Sequence, residues 1–197
     1  MKTLVVPLIG CTLLALSACS TATSEPSGSG GTTAGETSAP TESAPAESLG
    51  SITDVTSRYA DCEAIGAVLG SAIDGLIPDE ASTFESDMVQ CAWLSTNEGE
   101  GDLETISVAI DPNQGADDVA TPDVLTMIGA EQIPDATVES HGGIAYFTSG
   151  TGDLRIAVTT VDVPGISVSI THGVLGSDPS LVGPTAVDLI KQLLALS

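Results

Sequence analysis

Aromatic side chains and positive charge are both scarce in this chain. Rings occur only at Tyr59, Phe84, Trp93, Tyr146 and Phe147, and the 4 cations, Lys2, Arg58, Arg155 and Lys191, face 27 Asp and Glu across 197 residues. So few cations cannot neutralise a run of phosphates, which excludes nucleic acid as a partner. So few rings offer no platform for stacking sugars or bases. Long apolar runs are missing too. The longest, Thr3 to Leu16, holds about fourteen residues, where a bilayer span needs roughly 20. No GxxxxGK[ST], GxGxxG, GxSxG or CxxC occurs. Nucleotide binding, nucleophile-elbow hydrolysis and a paired-thiol redox site therefore have no motif behind them.

The first residues read as an address. Met1-Lys2 is a short positive start, the apolar run follows, and Leu16-Ser17-Ala18-Cys19 resembles the bacterial lipobox, in which small residues precede a Cys that is acylated. This arrangement predicts a signal peptide over 1–18 and lipidation at Cys19. Ordinary cleavage after Ala18 is the alternative. Two or more acyl chains hold a protein to a bilayer stably where one does not. Loss of Lys2 with the leader leaves three cations against 27 acids, a charge of −24. Such a chain is not held to an anionic leaflet by its own charge. Membrane attachment on the extracytoplasmic side is therefore expected through the lipid alone.

Residues 19–50 are almost wholly Ser, Thr, Gly, Ala, Pro and Glu, with Leu49 the one large apolar residue. Such chain cannot bury enough surface to offset its ordering entropy, and it reads as a flexible spacer. Its typical reach is near 30 Å, from roughly 5–6 Å × √n. Glycosylation of this segment is compatible with its composition.

Residues 51–197 carry the folded pattern. Apolar residues at 42% of the whole chain suffice for a core. Cys62, Ile65, Leu69, Ala72, Ile73 and Leu76 recur at helical spacing, which predicts a helix over Asp61 to Leu76, with Asp61 as N-cap and Gly75 and Pro78 as the stop. Gly66 and Gly70, four apart, suggest close packing on a sheet. Met88 to Thr96 alternates, as do Ile106, Val108 and Ile110, giving a hairpin with an acidic tip over 97–102. An acidic loop from Asp111 to Ala120 precedes a short helix, Pro122 to Ile128, capped by Thr121. Three strands are expected over Val138–Thr148, Leu154–Val163 and Ile166–His172, then a helix from Pro184 with Val187, Ile190, Leu193 and Leu194 on one face. In the last strand the apolar residues alternate with Ser167, Ser169 and Thr171, so one sheet face should be solvated. The expected fold class is α+β: a single antiparallel sheet of about five strands with helices packed on one face, in the order α-β-β-α-β-β-β-α.

With Cys11 in the leader and Cys19 acylated, Cys62 and Cys91 remain as an even pair in an oxidising compartment. Both lie on apolar stripes, so a disulfide stapling the first helix to the first strand is expected. A two-thiol zinc site lacks a neighbouring His. A Cys opening the first helix, Cys91-Ala92-Trp93 about 30 residues on, and the strand Ser107 to Ile110 together resemble a large group of actinobacterial lipoproteins. These carry a domain of unknown function behind a lipobox and a Ser/Thr/Gly/Pro-rich spacer. The resemblance covers Tyr59 to Ile110 best. It implies a small α+β lipoprotein domain with one disulfide, and brings no catalytic residue with it. The strong acidity here, including Asp61 and Glu63 beside Cys62, departs from that group.

Candidate chemistry is thin. Glu139 and His141 would share a strand face and could seed a metal site, but a third ligand is missing nearby. His172 shares parity with Ile166, Val168 and Ile170, which places it at the rim of the covered face in a hydrogen-bonded role. Asp111 to Asp118 begins like an EF-hand loop, yet Gly115 stands fifth and Pro122 twelfth, where a bidentate Glu is needed. No catalytic residue, metal ligand or cofactor is assigned. The function expected is a lipid-anchored binding or interaction module for a small ligand or an envelope partner. The alternatives are an accessory structural lipoprotein without a ligand and, less favoured, a wall hydrolase. A small ligand would need a hollow between the sheet and the C-terminal helix.

Overall fold

The computed structural model describes residues 50–96 and 103–197. The leader, Cys19, the spacer up to residue 49 and the hairpin tip at 97–102 lie outside the described residues. The described residues form one compact unit with its own core.

The unit is α+β with one antiparallel sheet. Its strands are β1 (Leu76–Pro78), β2 (Thr83–Phe84), β3 (Val89–Ser95), β4 (Glu104–Pro112), β5 (Glu131–Ile133), β6 (Ile144–Ser149), β7 (Leu154–Val163) and β8 (Ile166–Leu175). Their order is β1-β3-β4-β8-β7-β6-β5, with β2 also paired to β3. The sheet thus has 8 strands, not about five. The additional ones, β1, β2 and β5, are two or three residues long. Such pieces are stabilised by their partner strand and leave no alternation of their own to read.

Among the described residues five α-helices accompany the sheet: α1 (Ile52–Arg58), α2 (Cys62–Leu69), α3 (Pro122–Ile128), α4 (Ala136–Ser140) and α5 (Pro184–Leu194). Two of them change the expected order. Before the first expected helix stands α1, started by a capping box. The Ser51 hydroxyl accepts the Asp54 N–H, and the Asp54 carboxylate accepts the Ser51 N–H at 2.9 Å. The expected strand over Val138–Thr148 begins in a helix instead. The Asp135 carboxylate accepts the Val138 N–H at 3.0 Å and caps α4, and strand geometry begins only at Ile144. The helix expected to run to Leu76 stops at Leu69. Gly70 takes φ +55, a left-handed conformation open to glycine, and a 3₁₀ turn over Gly70–Ile73 follows.

Direct cross-strand pairing defines the inner face. Trp93 opposes Ile106, Cys91 opposes Val108, and Val89 opposes Ile110. Ile106, Val108 and Ile110 oppose His172, Ile170 and Val168 in turn. These residues join Ile52 and Val55 of α1, Ile65 and Leu69 of α2, Val138 of α4, and Ala186, Val187, Ile190 and Leu193 of α5 in one core, the side chain of His172 excepted. The outer face carries Ser107, Ser167, Ser169 and Thr171, polar as the alternation predicts but half-buried rather than solvated. At the start of β6 the backbone passes so close to β7 that a Cβ on Gly143 would overlap the Asp162 carbonyl and come within 2.5 Å of Val163 Cγ1.

Candidate functional site: an open cleft beside Trp93

The expected disulfide is present. Cys62 at the start of α2 and Cys91 in β3 are bonded, with Cα atoms 5.4 Å apart. The bond sets α2 against the sheet, and Gly66, one turn along α2, lets the helix sit directly on Trp93. A Cβ at Gly66 would meet the indole at 3.0 Å and Ile73 at 3.1 Å. Gly70 has open space around it. Its role is to end the helix, not to pack.

Where α2 ends, the 3₁₀ turn and β1 fold back alongside it. A cleft of about 870 Å³ opens between them. Trp93, Gly66, Cys62, Ile73 and Leu76 make its buried or half-buried floor, and Asp61, Glu63 and Asp74 stand exposed at its rim. Its volume falls in the range of small-molecule sites, roughly 300–1,000 Å³. No Lys, Arg or His lines it. The three cations among the described residues are engaged elsewhere. Arg58 donates to the Leu193 carbonyl at 2.7 Å. Arg155 pairs with Asp178. Lys191 pairs with Asp135 at 2.8 Å and Asp188 at 2.9 Å.

Sequence periodicity pointed away from this cleft. Ile73 and Leu76 fit the helical stripe, so they were expected inside a longer α2. Gly70, Gly75 and Pro78 within nine residues were the available signal that the chain turns there.

The space between α5 and the sheet is filled. Val187, Ile190 and Leu193 of α5 and Val168 and Ile170 of β8 are each at most 1% exposed. The hollow that a small ligand would need at that interface is absent from the described residues there.

The two histidines separate. His172 is buried at the inner face, where its Nδ1 accepts the Leu181 N–H at 3.0 Å. Nε2 must then carry the proton, which it donates to Glu104 Oε1 at 2.9 Å. The residue ties the segment before α5 to the sheet. His141 does not share a strand face with Glu139. Glu139 lies in α4, and His141 caps its C-terminus. No group of three or more His, Cys, Asp or Glu able to hold a metal occurs among the described residues. In the acidic loop the Asp118 carboxylate accepts the Gln114 N–H at 2.6 Å, and Asn113 ties the loop to the rest of the fold. Its Oδ1 accepts the Gly165 N–H at 2.6 Å and its Nδ2 donates to the Val163 carbonyl at 2.9 Å, tying the loop to the β7–β8 turn.

On the outer face Asp162 is almost fully buried and has no cation partner among the described residues. Ser167 Oγ donates to it at 2.5 Å and the Tyr146 hydroxyl at 3.2 Å. Burial, and then the adjoining Asp162 charge, push the Tyr146 phenol up to about 12. The phenol is therefore held protonated, as a donor, through the physiological range. The two groups satisfy each other.

No family model, curated protein or solved structure matches this chain.

Proposed function

We propose that the chain is a lipid-anchored, extracytoplasmic binding module, acylated at Cys19, whose globular unit engages a ligand or envelope partner through the cleft beside Trp93. The leader, the lipobox-like Leu16-Ser17-Ala18-Cys19 and the spacer support the anchoring, as does the resemblance to actinobacterial lipoproteins. The open cleft with its apolar floor carries the binding half of the reading. Apolar surface left in a concave site is removed from water when an occupant arrives, at about 25 cal/mol per Å². The reading assigns no catalytic residue, no metal and no cofactor.

Two measurements test it. Metabolic labelling with an alkynyl fatty acid should tag the wild-type protein and bring it down with membranes, while Cys19→Ala should be unlabelled and released. For the cleft, the neutral dye Nile red should brighten on the wild-type protein, and Ala67→Trp, which fills the cleft from α2, should abolish that signal. Dye binding unchanged by Ala67→Trp would remove the cleft as the site. A ligand-free structural role is the second reading, favoured by the filled helix–sheet interface.

A further inference from the structure

The charge around the cleft narrows its occupant, granted that the cleft is the binding site. Asp61 has a structural duty, since its carboxylate accepts the Ala64 N–H at 2.9 Å and caps α2. Glu63 and Asp74 have none. Neither makes a side-chain hydrogen bond or ion pair among the described residues, although both stand at the rim of an apolar cleft. We propose that the cleft takes a small cationic amphiphile: an ammonium or guanidinium group held among Asp61, Glu63 and Asp74, on an aliphatic chain laid over Ile73, Leu76 and the Trp93 edge.

The physical discrimination is simple. A neutral aliphatic molecule gains only from leaving water. Its anionic counterpart is repelled by three carboxylates. A cation gains both burial and attraction at the rim. Exposed ion pairs are individually weak, so the three together should favour the cation by about tenfold, which is about 1.4 kcal/mol. The attraction should fade with salt, because the Debye length falls from about 10 Å at 0.1 M to about 3 Å at 1 M.

Trp93 is the single tryptophan of the chain and closes the cleft floor, so its emission reports occupancy. The experiment uses the full chain carrying Cys19→Ala, so that no acyl chain at residue 19 competes for the cleft while the core and the disulfide are retained. Octylammonium, octanol and octanoate are titrated below their micelle concentrations. Octylammonium should change Trp93 emission saturably and bind about tenfold more tightly than octanol, with octanoate weakest. The triple variant Asp61→Asn/Glu63→Gln/Asp74→Asn should bring octylammonium to within twofold of octanol, as should 1 M NaCl. Asn is itself a good N-cap, so the variant retains the α2 start, which circular dichroism checks. Equal binding of octylammonium and octanol, both lost in Ala67→Trp, would overturn the proposal and leave the cleft intact as a site. A cation preference that survives the triple variant would also overturn it, because the overall negative charge would then be its source. No response to any probe would overturn both the proposal and the cleft reading beneath it.

Discussion

Reduction of the Cys62–Cys91 bond should lower the stability of the folded unit by about 3.6 kcal/mol. The bond closes a loop with a sequence separation of 29, and the chain-entropy relation for such a loop gives about 12 cal/mol/K, or about 3.6 kcal/mol at 25 °C. The effect belongs mainly to the unfolded chain. In the folded state Cys91 is fully buried and Cys62 packs against the core, so two thiols would occupy nearly the same space with little loss of contact. With a urea slope of about 2 kcal/mol/M, the midpoint should fall by about 1.8 M. The slope itself should rise, because the uncrosslinked chain exposes more surface when it unfolds. On heating, about 2–4 °C per kcal/mol for a unit of this size gives a drop of about 7–14 °C. The assay is urea unfolding with and without a phosphine reductant, followed both by Trp93 fluorescence and by circular dichroism, with free thiols counted. A midpoint shift under about 0.3 M with both thiols shown to be free would refute the loop-entropy reasoning.

Gly143→Ala should cost at least about 3 kcal/mol, the upper end for overpacking, because the new methyl group meets the Asp162 backbone rather than a side chain that can swing away; chemical unfolding or loss of soluble expression would show it. His172→Phe keeps the ring but leaves the buried Leu181 N–H without an acceptor, and should cost about 1–3 kcal/mol; faster hydrogen exchange at the Leu181 amide is the local readout, and unchanged exchange would count against the assigned tautomer. Lys191→Met should flatten the pH profile of stability at both ends. Burial alone would raise Asp135, but the hydrogen bonds from Lys191 and the Val138 N–H outweigh it and hold Asp135 below its ordinary value. Its contribution is thus present above an unfolded carboxyl pKa of about 3.9 and is lost as pH falls through the lower folded value. Lys191 is held above its ordinary value by hydrogen bonds to Asp135 and then Asp188. Its share is present below an unfolded pKa of about 10.4 and lost as pH rises through the higher folded value. Urea midpoints from pH 2 to 12 for both proteins test this, and parallel curves would refute it.

Where one residue pattern answered to one kind of burial, the sequence was readable. Leu154–Val163 forms β7 between its two turns. The α5 stripe of Val187, Ile190, Leu193 and Leu194 is buried as a single face. Cys62 and Cys91 meet because each lies on an inward stripe. The misreadings share a cause: local patterns compatible with two backbones. Val138 to Thr148 reads as a strand running up to the Ser149–Asp153 turn, but the Asp135 cap makes its first residues helical and the turn at Gly142 delays the strand to Ile144. Ala72, Ile73 and Leu76 continue the helical spacing past a glycine that ends the helix. The cleft was illegible for that same reason, since it exists only because α2 stops short and β1 returns beside it. The rim acids were visible, but among 27 acids nothing in the sequence distinguished Glu63 and Asp74.

The opening and closing helices of the folded unit are fastened together. Arg58, at the end of α1, donates to the Leu193 carbonyl at 2.7 Å, and the neighbouring Tyr59 hydroxyl donates to the Gln192 carbonyl at 3.4 Å. The polypeptide therefore returns almost to its point of entry, and its path is nearly a closed circuit. A circuit of that kind can be joined at the clasp and cut at a surface turn. Either turn of the β6–β7–β8 meander joins neighbouring strands, but a circular permutant opened in the β7–β8 turn would cut the covered turn that Asn113 holds, whereas one opened in the exposed β6–β7 turn, near Gly150–Gly152, would leave that tie and both helices of the clasp in place.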